Sequence, residues 1–309
     1  MQTARPPRPS NDPARGPVID PSTPPSARLG FGAAPASGTY TARETRALLD
    51  VAYENGIRHF DTAPVYGWGE GEAAMGAFAA NRSDVTIATK VGISPPSRTQ
   101  RLVAKLSGKE AAARRGQFTP AQVRHSVEQS LRRLGTPRLD ALLLHEPGVE
   151  DVDDELIGTL EALKHEGKIA AAGVAANADV TAALLMRYPD AFQIAQIPAA
   201  GIVQIASAPA KVSIITHSVL GPRVANVLSR LQADQALAAN FHDETGLAAD
   251  DPFGVAQTLL RVALARNSDG ITLFSSSREA VVRSNANLSP ASESLVAIVE
   301  AALTEAPAS

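Results

Sequence analysis

From residue 28 onward, short apolar runs alternate with stretches of helical spacing, and this rhythm limits the available folds more than any other feature of the chain. The runs are RLGFGAA, IRHFDTA, VTIATKVG, RLDALLLHEP, KIAAAGVAA, AFQIAQIP, KVSIITHS and GITLFSSS, beginning at Arg28, Ile57, Val85, Arg138, Lys168, Ala191, Lys211 and Gly270. Near-continuous apolar runs read as strands buried on both faces, and strands that alternate with helices pair in parallel. Eight such units over about 280 residues fit one closed α/β barrel, a (β/α)8 TIM barrel spanning 28–305, better than an open sheet divided between two domains.

Helices are predicted between the runs. Over 41–56, Thr41 and Glu44 form a capping box and Gly56 a stop. Over 119–135, Thr119 caps, Pro120 takes the first turn, and Val123, Val127, Leu131 and Leu134 make one apolar stripe. Further helical patterns cover 151–167 and lie near 223–239, 253–267 and 277–286. Between Pro198 and Lys211 the periodicity fades, so the sixth helix is expected to be truncated. A polar, basic insertion occupies 94–117.

Composition removes several classes of function. There is no cysteine, so neither a disulfide framework nor a thiolate site exists. A net charge of -3 with no basic stripe argues against a nucleic-acid partner. No apolar run approaches the roughly 20 residues that span a bilayer. Residues 1–27 hold eight of the 22 prolines and no apolar signal core, which reads as a disordered arm on a cytoplasmic protein. The six histidines show no ligand spacing, so no metal site is expected.

In such a barrel the active site lies at the carboxyl ends of the strands. Three consecutive strands end in ionisable residues: Asp61, Lys90 and His145, with Tyr66 a few residues beyond Asp61. Adjacent strands lie about 4.8 Å apart, so Asp61 and Lys90 can form an ion pair. A lysine cation beside a phenol favours the phenolate, which is expected to lower the Tyr66 pKa toward neutral pH. Tyr66 then suits a general acid, and His145 a hydrogen-bonding group for a substrate oxygen. No side chain here can supply a hydride, so a nicotinamide cofactor would have to bring it. The neighbouring Gly67, Gly69 and Gly71 do not match a G-x-G-x-x-G phosphate loop, because Glu72 stands at the third glycine position. They are expected to fold the loop back tightly, with Glu72 opening the next helix.

These residues resemble the aldo-keto reductase family in GIRHFDTAPVYGWGEGE, TIATKVG, SLRRLGTPRLDALLLHEP, ALKHEGKIAAAGV and SSSREAVVRSNANL, in the family's order over most of 28–290. The resemblance implies a (β/α)8 barrel that reduces a small aldehyde or ketone, or oxidises the matching alcohol or sugar, with NADP(H). It also implies catalytic roles for Asp61, Tyr66, Lys90 and His145. By the same resemblance, Gln196 meets the cofactor carboxamide and His217 stands where a tyrosine usually stacks on the nicotinamide. The usual Ser-Asn pair after strand five is Ala175-Ala176, leaving Asn177 one place late as the substitute. Ser218, Leu220 and Gly221 match the diphosphate loop. Ser275, Ser276, Ser277 and Arg278 match the 2′-phosphate region, with Ser276 and Glu279 as an alternative capping pair, and Asn285 matches an adenine contact. A guanidinium at Arg278 favours NADPH, with NADH the second candidate.

Substrate is weakly encoded. Trp68 either walls the pocket or packs on a helix, and Arg98, Arg101, Lys105, Lys109, Arg114 and Arg115 crowd the insertion near its mouth. Two other readings keep the same residues: a nicotinamide-binding sensor or regulatory subunit with little turnover, and a barrel lyase or isomerase that uses the acid-base set without redox chemistry.

Overall fold

The computed structural model describes residues 28–33, 42–96, 99–100, 113–205 and 212–304. The Pro-rich arm, Thr41 of the expected capping box, and Arg98, Arg101, Lys105 and Lys109 lie outside these residues.

Eight parallel strands close into a barrel in sequence order. They are β1 (Leu29–Gly32), β2 (His59–Asp61), β3 (Thr86–Val91), β4 (Leu139–His145), β5 (Ile169–Ala175), β6 (Ile194–Pro198), β7 (Ser213–His217) and β8 (Ile271–Phe274). Strand side chains alternate between two faces, and the barrel uses both. The inward set is small: Ala88, Ala141, Leu143, Ala171, Ala175, Ile194, Ile215, Ile271 and Leu273 form their own buried cluster. Gly30 completes it, since a Cβ there would stand 2.5 Å from Leu273 Cδ2. The outward set packs against the helices in a larger core that includes Leu29, Phe60, Leu142, Leu144, Val174 and Ile197.

The described helices are α1 (Ala42–Glu54), α2 (Glu70–Ala79), α3 (Pro120–Leu134), α4 (Asp154–His165), α5 (Ala178–Arg187), α6 (Pro222–Ala233), α7 (Gln235–Thr245), α8 (Pro252–Arg266), α9 (Glu279–Ala286) and α10 (Glu293–Leu303). α3 follows its sequence signals closely. Gln122 Oε1 accepts from the Thr119 N–H at 3.1 Å, Val123 and Val127 are buried, and Gly135 ends the helix at φ 62°.

Several elements differ from the sequence expectation. The pattern near 223–239 is two helices, because the Asp234 carboxylate accepts from Leu237 N–H at 3.0 Å and starts a new one. α5 and α10 carry no strong periodic signal in the sequence. α5 is a ten-residue segment, half of it Ala and Leu, with little polar contrast, and Asn177, its cap, reads equally well as a ligand. After β6 the chain makes only a short 3-10 turn, Ala199–Gly201, and the described residues up to Ile205 hold no helix, as the faded periodicity predicts.

Candidate active site

The residues that end the strands share one register, and this gathers the site. Gly32 pairs with Asp61, and Asp61 with Ala88, two places before Lys90. His145 pairs with Ala175, Ala175 with Gln196, and Pro198 with His217. Gly32, Asp61, Lys90, His145, Ala175, Gln196, His217 and Ser275 therefore ring one mouth of the barrel and line a cavity of about 940 Å³. That volume falls within the range of small-molecule and cofactor sites.

At its floor, Lys90 Nζ donates to Asp61 Oδ1 at 2.6 Å, to Asp61 Oδ2 at 2.7 Å and to the Thr62 carbonyl at 3.0 Å. Both side chains are almost fully buried, at 3% and 6% exposure. Two buried charges hold each other with well-made hydrogen bonds, the geometry that offsets their desolvation. Above them, Lys90 Nζ lies 5.3 Å from the Tyr66 ring centroid, and the Tyr66 and His145 rings meet edge to face with centroids 6.4 Å apart.

The electrostatics correct one expectation. Burial pushes the Tyr66 phenol above its ordinary pKa, and the attraction of Lys90 offsets only part of that rise. Tyr66 is therefore a protonated phenol at neutral pH rather than a group poised to ionise. Burial lowers His145 to about 4, with Lys90 adding to the effect, so its imidazole is neutral. His145 Nδ1 is buried and has no hydrogen-bond partner among the described residues.

The glycines around the start of α2 have two different functions. Gly67 and Gly69 adopt φ 56° and 97°, and Trp68 between them is also left-handed at φ 56°. This turn follows directly on Tyr66 and carries the chain into α2 at Glu70, two residues earlier than expected. Gly71 has no positive φ. A Cβ there would come within 3.2 Å of the Tyr66 carbonyl and 3.3 Å of Thr62 Oγ1. Glu72 does not open the helix. It is fully buried, accepting from Thr89 Oγ1 at 2.7 Å and from Arg133 at 2.9 Å. The same guanidinium lies under Gly69, where a Cβ would stand 2.7 Å from Arg133 Nε. The Tyr66 loop is thus fastened from below to β3 and α3. Trp68 is 41% exposed and does not line the cavity, so it forms no wall.

The residues expected to contact a cofactor divide into two groups. Asn177, Gln196, His217, Ser218, Leu220, Gly221 and Ser275 line the cavity, whereas Ser276, Ser277, Arg278 and Asn285 do not. Gln196 Nε2 donates to Asp61 Oδ2 at 2.9 Å, which leaves its carbonyl oxygen and its second N–H for a ligand. Asn177 Oδ1 caps α5 by accepting from Val180 N–H at 2.9 Å. His217 Nδ1 lies 2.8 Å from Ser218 Oγ, and burial lowers its pKa, so it presents a neutral ring. The Ser275 hydroxyl donates to the Gly32 carbonyl at 2.9 Å. Ser276 does not cap α9. Its Oγ accepts from Arg278 N–H at 3.1 Å, and Arg278 occupies the cap position without a side-chain bond. Asn285 is buried, and its Oδ1 accepts from Gln257 at 3.2 Å.

Two charged cavity residues have no place in the sequence reading. Glu146, at φ 52°, follows His145 and pairs with Arg115 from the basic insertion. Arg223 enters from the first turn of α6, and its only local signal is a cation directly after Gly-Pro. Among the described residues no three His, Asp or Glu side chains converge to hold a metal, and no helix is long and apolar enough to cross a membrane.

The fold is a closed parallel barrel that sets a buried lysine–aspartate pair beneath a tyrosine and a histidine at the carboxyl ends of its strands. The chain belongs to the aldo/keto reductase family, whose model matches residues 28–208. It is 34% identical over 160 residues to D-threo-aldose 1-dehydrogenase of a Pseudomonas species, covering 47% of this chain and 49% of the relative. The match therefore spans about half the length of that protein. Among solved structures, a glycerol dehydrogenase from Gluconobacter oxydans matches with a TM-score of 0.69 at 20% identity, over 94% of each chain. An aldo-keto reductase from Klebsiella pneumoniae in complex with NADPH matches with a TM-score of 0.65 at 22% identity, over 89% of this chain and 90% of the other.

Proposed function

We propose that this protein is an NADP(H)-dependent oxidoreductase that reduces a small aldehyde or ketone, or oxidises the matching alcohol or sugar. The observation that carries this reading is the buried Lys90–Asp61 pair set directly under Tyr66 and His145 on the cavity floor. When bound, the nicotinamide would supply the hydride, which no residue in the cavity can donate. Gln196 Oε1, His217, the loop from Ser218 to Gly221 and Ser275 would hold it, and the cavity has the size and the cation for a dinucleotide. The sugar-dehydrogenase name of the Pseudomonas relative and the NADPH in the Klebsiella complex support the same substrate and cofactor classes.

The residues of the chain have separable roles. Tyr66 delivers its phenolic proton to the carbonyl oxygen as charge develops there. Neutral His145 donates a hydrogen bond to that oxygen and orients it. Lys90 stabilises the phenolate left behind, so the attraction that only partly offsets burial in the resting site acts when Tyr66 loses its proton. Asp61 keeps the ammonium in place, and Gln196 keeps Asp61 in place.

The test is NADPH oxidation followed at 340 nm across a panel of aldoses, ketones and aldehydes. Tyr66→Phe is expected to lower kcat by at least about 100-fold, the usual scale of acid catalysis. Undiminished turnover in that variant would remove the assignment.

A second reading, a nicotinamide-binding regulatory barrel, is motivated by Ala175 and Ala176. These residues bring no polar side chain to the cavity, and Asn177 is committed to capping α5. Tight NADPH binding with no turnover of any carbonyl would favour it. Product formed without any nicotinamide would instead point to a lyase or isomerase.

A further inference from the structure

Arg223 is the second residue of α6, after Pro222, and it lines the cavity beside the loop from His217 to Gly221. Burial lowers its pKa below the usual arginine value. Its Nε is buried without a hydrogen-bond partner. The Glu300 carboxylate, which acts on it through space, is itself held by Arg266 Nε at 2.7 Å and Nη2 at 2.5 Å. The other cavity-lining cation, Lys90, is consumed by Asp61. Among the described residues, Arg223 is therefore the one strong cation of the cavity with no counter-ion. The side chain is partly buried, and a partly desolvated guanidinium without a partner weighs against the free protein. Folding leaves that positive charge for an anion to satisfy.

The geometry around it narrows the class of anion. Gly221 caps α6 without a side chain, and Pro222 has no N–H, so the Arg223 backbone N–H and its side chain leave the same turn. A planar guanidinium beside a helix N-terminus matches phosphate oxygens bidentately. Arg278, by contrast, is exposed and does not line the cavity. We propose that Arg223 is the cation that grips the diphosphate bridge of the dinucleotide, an inference that rests on the nicotinamide reading above. Because that bridge is common to both cofactors, Arg223 serves NADPH and NADH equally, and any preference between them arises elsewhere.

The test is calorimetric titration of the full chain with NADPH and with NADH, in the wild type and in Arg223→Gln, Arg223→Lys and Arg278→Gln. Losing one charge-assisted bidentate contact is expected to raise both Kd values by roughly 10- to 100-fold in Arg223→Gln. Arg223→Lys is expected to recover part of the loss, and Arg278→Gln to raise Kd for NADPH alone. The salt dependence of Kd should be shallower in Arg223→Gln. The unliganded variant should melt no lower than the wild type, since an unpaired desolvated charge has been removed.

Unchanged Kd values for both cofactors overturn the proposal. A rise confined to NADPH would reassign Arg223 to the 2′-phosphate, and a higher KM for acidic substrates at constant cofactor Kd would reassign it to substrate. A clear drop in the unliganded Tm would mark it as a structural residue. A wild type that binds neither dinucleotide defeats the nicotinamide reading and this inference with it, whereas a binding wild type with an indistinguishable Arg223→Gln defeats this inference alone.

Discussion

Gln196 Nε2 donates to Asp61 Oδ2 at 2.9 Å, and the same carboxylate oxygen receives Lys90 Nζ at 2.7 Å. A side chain from β6 thus completes the coordination of a carboxylate from β2 across the barrel mouth. The amide that the sequence assigns to cofactor binding is half spent on holding the buried ion pair. Asp61 therefore accepts three hydrogen bonds from two donor groups, and its position is fixed before any ligand arrives.

Removing one member of that buried pair leaves the other charge unpaired. Lys90→Met is expected to destabilise the fold by about 3 to 5 kcal/mol. It should also abolish measurable turnover, with urea unfolding and initial rates as the two measurements. Gln196→Leu removes a neutral donor instead, and is expected to cost about 1 to 3 kcal/mol while leaving residual activity.

The loop that carries Tyr66 depends on Arg133. Gly69→Ala forces a Cβ into φ 97° and against that guanidinium, which should cost at least about 1 to 2 kcal/mol from backbone strain alone. Because the strain sits three residues from Tyr66, kcat is expected to fall more than KM rises. A stable variant with wild-type kcat would separate the loop from the chemistry.

Buried histidines set an acid limit to stability. Burial depresses His59 from 6.5 to about 4, outweighing the opposite pull of Asp61. Between those values the unfolded chain binds more protons than the folded one, so stability rises with pH. The contribution is complete above about 6.5 and is lost as pH falls through about 4, an interval worth about 3 kcal/mol for this buried group. His145 acts in the same direction. Tm should therefore decline steadily on acidification across this interval, and His59→Asn should flatten the profile.

The raised Tyr66 pKa fixes the pH dependence of the two reaction directions. A phenol that stays protonated is a ready acid, so carbonyl reduction is expected to be level from roughly pH 6 to 9, below the ordinary tyrosine value near 10. Oxidation requires the phenolate and should accelerate with pH over the same range. Rate profiles in both directions check this, and a reduction limb that falls near neutrality would contradict it.

In the proposed cofactor site, His217 offers less stacking area than a tyrosine would. His217→Tyr is expected to tighten nicotinamide binding by a few-fold to tenfold, the scale of one aromatic contact. Titration with NADP+ measures it, and weaker binding would show that the smaller ring is fitted to its neighbours.

The sequence by itself determined the barrel, the order of its strands and the chemical types at their carboxyl ends. Those properties are written in local patterns: apolar runs, caps such as Thr119 with Pro120 behind it, and ionisable residues one after another at Asp61, Lys90 and His145. Partnership and burial depend on residues far apart in the chain, and only the tertiary structure decided them. It turned Gln196 toward Asp61, 135 positions away, placed Arg133 beneath Gly69, and made Glu72 a buried anchor rather than a helix start. It also reversed the expected direction of the Tyr66 shift, because the loss of water around the ring outweighs one neighbouring cation. Arg223 is the clearest case: an ordinary arginine in the sequence, it becomes a cation without a counter-ion only when the fold carries it into the cavity.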